Sequence, residues 1–408
     1  MILANRGFVT DAHSAASGKG LPGLRVIGES IACESTVAED IESGVQAVMN
    51  DIVAALTKPL TPEETAPQPK TGKPPFIAFK GTYNEVNEFF YRKGWTDGLP
   101  IVPPTEEAVA AMMKGTDLAP ETVVAKLIPR TGKATVKKIA VNAVMAGALP
   151  TYMPVLIAAV QALSDPKTRF DTFEVSTGSW APFFVINGPI RNEVNINCSS
   201  GALSPGNIAN AAIGRAVGLI VKNIGGARKA VEDMGTIGNP GKYSMVLGER
   251  EEDSPWEPLH VTRGYNKEDN TLTVFFPNGY SLSIPSQTSA QGIADALAGM
   301  ELRSLSALLV IPDHANILSK EGWTKRKLIE YIASKNSAPA SKGARRLGAL
   351  SENDFIIVVA GGPGTWMGSV RSAGGFQNDF VTKKIELPHN WKELVAKYKS
   401  LVPVYEAY

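Results

Sequence analysis

The chain has 408 residues, 44% hydrophobic and 20% charged, the make-up of a globular protein of about two or three domains. With 41 Lys and Arg against 40 Asp and Glu, the net charge of +1 excludes a dedicated nucleic-acid or anionic-lipid binder but not a local basic pocket. Cys33 and Cys198 are too few for a disulfide scaffold and fit a reducing cytoplasm, and four histidines leave little room for a polynuclear metal centre.

Residues 1–20 carry no apolar run of the kind a secretory signal needs. Leu24–Ile27 reads as a strand, and Val37, Ile41, Val45, Val48, Ile52 and Leu56 recur at helical spacing. The segment 57–80 is rich in proline and lacks an apolar period, so it reads as a linker behind a small α/β segment, 1–56. A helix is expected over Tyr83–Tyr91, and Thr105 before Glu106 and Glu107 predicts the N-cap of a second. Ile139–Leu163 is uncharged over a length that would span a bilayer, but Pro150 and Pro154 divide it, which predicts a buried pair of short helices.

Beyond these, Phe183–Ile186 is a strand, and the loop Cys198–Gly206 leads into a small-residue helix from Asn207 to about Asn223 that must be closely packed. Strands at Tyr243–Leu247, His260–Tyr265, Thr271–Phe276 and Tyr280–Ile284 follow, the last three read as an antiparallel meander. Ala307–Ile311 and Phe355–Ala360 are buried strands, the second ending in Gly361-Gly362-Pro363-Gly364; Ala290–Ala298 and Thr324–Ala333 are helices, the latter with its Lys and Arg outside. The expectation is a mixed α/β (α+β) protein of layered helices on mixed sheets. Its main domains are 81–258, carrying the Gly/Ser loop, and 259–408, carrying the meander and the Gly-rich loop.

Several segments carry a resemblance: Gly94-Trp95-Thr96-Asp97-Gly98-Leu99-Pro100, Gly132-Lys133-Ala134-Thr135, Gly206-Asn207-Ile208-Ala209-Asn210, Ser254-Pro255-Trp256-Glu257-Pro258, Pro312-Asp313-His314 and Val359-Ala360-Gly361-Gly362. Together, over residues 80–390, they resemble the large bacterial proteins associated with the UGSC-type (seleno)protein family, and residues 1–56 resemble the C-terminal half of a UGSC-type domain. The resemblance implies an α/β fold and an enzyme. The Cys- or selenocysteine-Gly-Ser-Cys motif that names the family is absent here, so either a partner subunit supplies it or this chain does not use it.

Candidate functional residues fall into groups. Asp97, beside Trp95 in a Pro-framed loop, suits a general base or ligand anchor; the alternative is an Asx-turn. His314, next to Asp313 after a buried strand, suits proton transfer; the alternative is a satisfied structural histidine. Ser204, Gly206, Asn207 and Asn210 outline an anion cradle before a helix, and Gly361 and Gly362 form a second glycine loop at a strand end. Cys198 near a helix N-terminus is a candidate nucleophile. His260, His314 and Glu249 form a weak metal set, without HxH or HExxH spacing.

The expected function is an enzyme, or a subunit of a catalytic complex, acting on a small anionic organic molecule by thiol- or selenol-linked reductive or carbon–heteroatom bond cleavage. The alternatives are a non-catalytic metabolite-binding or scaffold subunit and a metal-dependent hydrolase or hydratase. No cofactor is implied. The chain is expected to be cytoplasmic and homo-oligomeric, with no nucleic-acid or membrane partner.

Overall fold

A computed structural model describes residues 1–65, 77–302, 304–336, 350–372 and 378–403. The chain opens with β1 (Ile2–Asn5), α1 (Val9–Gly18) and β2 (Val26–Glu29), the strands pairing in parallel. The helical stripe over 37–56 becomes two helices, α2 (Ala38–Ala47) and α3 (Met49–Thr57), separated where Val48 leaves helical geometry. A short helix, α4 (Pro62–Thr65), stands inside the expected linker; residues 66–76 lie outside the described residues. Arg25 ties this unit together. Its Nε and Nη2 meet Glu64 at 2.7 and 2.8 Å, and it donates to the carbonyls of Ala55, Lys58 and Pro59 at the end of α3, where a cation complements the helix dipole.

Threonines start the next helices, α5 (Tyr83–Arg92) and α6 (Glu106–Met113): Thr82 forms a capping box with Glu85, and Thr105 accepts from the Ala108 amide as expected. The hairpin of β3 (Val123–Leu127) and β4 (Gly132–Thr135) leads into α7 (Val136–Met145) and α8 (Met153–Leu163). These are the two halves of the uncharged stretch. In α8 every residue but Gln161 is buried, and no described helix is long and apolar enough to cross a membrane.

After α9 (Phe170–Phe173), the chain builds β5 (Phe183–Asn187), α10 (Ile190–Glu193), α11 (Ile208–Ile220), β6 (Val246–Gly248), α12 (Leu259–Thr262), β7 (Thr271–Phe275) and β8 (Gly279–Ser283). Then come α13 (Ala290–Ala298), β9 (Ser306–Val310), α14 (Pro312–Lys320), α15 (Lys325–Lys335), β10 (Phe355–Val359), β11 (Met367–Arg371), β12 (Val381–Lys384) and α16 (Trp391–Tyr398). As the small residues of α11 required, that helix is closely packed: a Cβ on Gly214 would fall 2.3 Å from Ser244 Oγ.

Two four-stranded sheets result, β6-β5-β7-β12 and β10-β9-β11-β8. Each has a parallel pair, β5 with β6 and β9 with β10, followed by two antiparallel neighbours. The fourth strands are exchanged: β8 follows β7 but pairs with β11, and β12 follows β11 but pairs with β7. The expected meander is therefore absent. His260 lies in the helix α12, and both edges of β7 are taken by β5 and β12, so Pro277 and Asn278 carry the chain between sheets instead of turning a hairpin. This exchange also ties residues 81–258 to 259–408.

Alternation along the strands separates the layers. Phe184, Ile186, Leu272 and Val274 pack with α7, α8 and α11, whereas Phe183, Val185 and Phe275 meet Ala307, Ile356, Val358 and Val370 of the other sheet. Leu308, Val310, Ile357 and Val359 face α13, α14 and α15. The body is four-layered: helices, sheet, sheet, helices. Strands covered on both faces explain the unbroken apolar runs Phe183–Ile186 and Phe355–Val359.

Candidate functional site

The chain leaves β6, β9 and β10 at one place. Their exits (Arg250 with Glu252–Pro255, the start of α14, and Gly362-Pro363) line a cleft of about 600 Å³. Arg250 fastens the floor: its amide donates to Val359 O at 2.7 Å, and its Nη1 donates to Gly361 O at 3.0 Å and Ser199 Oγ at 3.3 Å. Its Nε meets Asp253 at 2.5 Å. The Gly361 amide donates to Cys198 O at 2.9 Å, and a Cβ on Gly362 would fall 1.7 Å from Ser200 Oγ. The two glycine loops read separately in the sequence thus meet, and only glycine at 362 permits the approach.

Behind the cleft lies a buried charge network. Arg191, 2% exposed, contacts Glu251 at 3.0 Å, Glu252 through Nη1 and Nη2 at 3.2 and 3.0 Å, and the Glu249 carbonyl at 2.6 Å. Glu249 is fully buried, with Oε1 on Lys325 Nζ at 2.7 Å and Oε2 accepting from Asn187 and the Leu259 amide. Arg191 and Asn192 hold the Glu252 carboxyl down at about 2 against the opposing effect of burial, so Glu252 enters the cleft ionised. Lys325 was expected outside its helix; it is buried because Glu249 needs a counter-charge.

Asp97 belongs to a different place. Both its oxygens accept from Arg215 of α11, at 2.7 and 3.0 Å, and the Arg215 fork also reaches Pro100 O. Lys222 donates to Thr96 O and Asn223 to Trp95 O, so the loop is sewn to the end of α11; Trp95 itself packs edge-on against Phe90. Burial pushes Lys222 down while Asp97 opposes it. The Asx-turn alternative is present as well, with the Leu99 amide on Asp97 Oδ1.

His314 sits in the first turn of α14, 1% exposed, and among the described residues neither ring nitrogen has a hydrogen-bond partner; burial pushes its pKa down and favours the neutral ring, with Asp313 opposing. His260 is also fully buried, its Nε2 against Lys267 O and its Nδ1 4.0 Å from Glu251. Among the described residues no three His, Cys, Asp or Glu side chains are grouped to hold a metal, and Glu249 has both oxygens engaged. Burial pushes the Cys198 thiol up and so disfavours the thiolate a nucleophile needs, with nearby Arg191 opposing.

In the expected anion cradle the amides face inward. Asn207 caps α11 through the Asn210 amide and donates to Asn195 O. Asn210, 5% exposed, accepts from the Asn197 amide and donates to Asn197, Ala202 and Val246 carbonyls. Ser204 closes a turn on Gly201, and Gly206 takes a positive φ ahead of the cap.

The structure brings together Gly361, Gly362 and the Cys198 loop, with Pro312 and Asp313 beside His314; it gives Asp97 and Trp95 to α11. Sequence reasoning missed Arg191, Arg250, Glu252 and Asp253. The available signal was the run Glu249-Arg250-Glu251-Glu252-Asp253 directly after a strand, a place where α/β sheets bind ligands. Compared with protein-family models, curated proteins and solved structures, the chain has no match in any of the three.

Proposed function

We propose that the chain is an enzyme that holds a small polar organic molecule in the cleft between β6, β9 and β10. The observation that carries the reading is the convergence of the carboxyl ends of both sheets' strands on one hollow, the usual ligand position of open α/β sheets. The lining sets the ligand's character. Among the described residues that line it, three carboxylates, Glu252, Asp253 and Asp313, stand against one cation, Arg250, which is already engaged by Asp253. That balance favours an amine or a hydroxyl-rich molecule over the anionic one expected from the sequence. Glu252 is committed to Arg191 and Asp253 to Arg250, so Asp313, exposed at the head of α14, is the carboxylate in position to exchange a proton with the ligand.

Thermal unfolding in the presence of a panel of small amines, polyols and carboxylic acids tests this. Amines or polyols should raise Tm, and Glu252→Gln should reduce the rise. Stabilisation by carboxylic acids alone would contradict the reading.

A further inference from the structure

We propose that residues 1–65 form a docking module whose α2–α3 face receives a protein partner presenting an apolar surface rimmed with Lys and Arg. These residues bury almost no apolar surface of their own. In 65 described residues the one buried apolar side chain is Ala16, on α1, the helix whose Ser14 bonds Glu232 of the main body. Neither α2 nor α3 has a buried residue. A parallel sheet is ordinarily covered on both faces and continued at its edges, yet among the described residues β1 and β2 have only each other.

Apolar side chains are present at helical spacing but lie outside: Ile41 on α2, and Met49, Val53 and Leu56 on α3, at 39, 37, 50 and 66% exposure. A helix face of this kind is a groove-or-helix recognition surface awaiting its complement. Charge selects the occupant. On α2 and α3 stand four exposed carboxylates, Glu39, Asp40, Glu42 and Asp51, and neither helix carries a Lys or Arg. Nucleic acid and anionic bilayers are repelled by such a face, and a second copy would set two acidic faces against each other. A basic-rimmed apolar surface meets both demands.

The test uses the full chain and, as probe, a fluorescein-labelled amphipathic helix of Leu and Lys followed by anisotropy. The triple variant Glu39→Lys, Asp40→Lys, Glu42→Lys should weaken binding by about tenfold or more, and so should Val53→Ser with Leu56→Ser. All five positions lie on the surface, and an unchanged Tm confirms that the variants are folded. A control with Glu257→Lys, Glu268→Lys and Glu321→Lys should change affinity by less than about twofold. Equal weakening by the control, no effect of either α2–α3 variant, or a wild-type dimer in sedimentation that the α2 reversal dissociates would each overturn the proposal.

Discussion

The two sheets share one strand plan and differ in how it is finished. In the first, the segment after α12 covers the outer strand β12: Arg263 donates to Thr382 Oγ1 at 2.7 Å and Phe380 O at 2.5 Å, and Tyr265 donates to Thr382 O. The corresponding strand of the second sheet, β8, has no such cover among the described residues; Tyr280, Leu282 and Ile284 stand 53, 52 and 51% exposed. The strand exits differ in the same way. The first sheet contributes charge, through Arg191, Glu249 and Glu252. The second contributes backbone and a helix start, through Gly361, Gly362 and α14. A repeated framework has thus been given two different endings, and the cleft lies where they meet.

Cutting the ion pair between the halves should have the largest effect. Lys325→Met leaves Glu249 buried without its counter-charge, and chemical denaturation should show a loss of about 3–5 kcal/mol. Adding Glu249→Gln should recover part of it; no recovery would mean that Lys325 acts through packing alone. Next is Gly362→Ala, which sets a methyl group against Ser200 and should cost about 1–3 kcal/mol. Ser200→Gly should relieve that cost, whereas a loss unchanged by it would place the strain elsewhere than the contact between the two loops.

Outside the cleft, Glu174 belongs to the first half alone. It is buried in the first half beside Lys242 and Asp233, and burial pushes its carboxyl up to about 7, Lys242 opposing and Asp233 adding. The folded state therefore keeps a proton that the unfolded chain loses near pH 4.5. Its contribution is fully present below that pH and is lost as pH rises through about 7. Glu174→Gln removes this dependence and should gain on wild type between pH 5 and 8 by on the order of 2–3 kcal/mol. Parallel pH–Tm profiles would contradict the assignment. The smallest effect belongs to the open edge: Leu282→Lys on β8 should change stability by less than about 0.5 kcal/mol. A larger loss in denaturant titration would show that the face is covered.

The framework was legible where one period dominated. Pro150 and Pro154 divided the buried helices, Thr105 marked its cap, and the apolar runs at 183–186 and 355–359 marked strands covered on both sides. The strand exchange was not legible, because Pro277-Asn278-Gly279 is the same turn signal whether β8 returns to β7 or crosses to β11. At the site, the glycine loops were visible from composition. Arg191 and Lys325 were not, since nothing local distinguishes a buried cation from a solvated one; the difference is made by Glu249, Glu251 and Glu252, which are distant in sequence. Asp97 attracted attention for its rigid loop, and the rigidity comes from Arg215, 118 residues away.

The most direct measurement is the ligand-induced rise in Tm, with the best amine or polyol of the panel, for wild type, Asp313→Asn and Asp97→Asn. The rise should disappear in Asp313→Asn and persist in Asp97→Asn, whose carboxylate serves to hold its loop on α11. A rise lost in Asp97→Asn and kept in Asp313→Asn would contradict this.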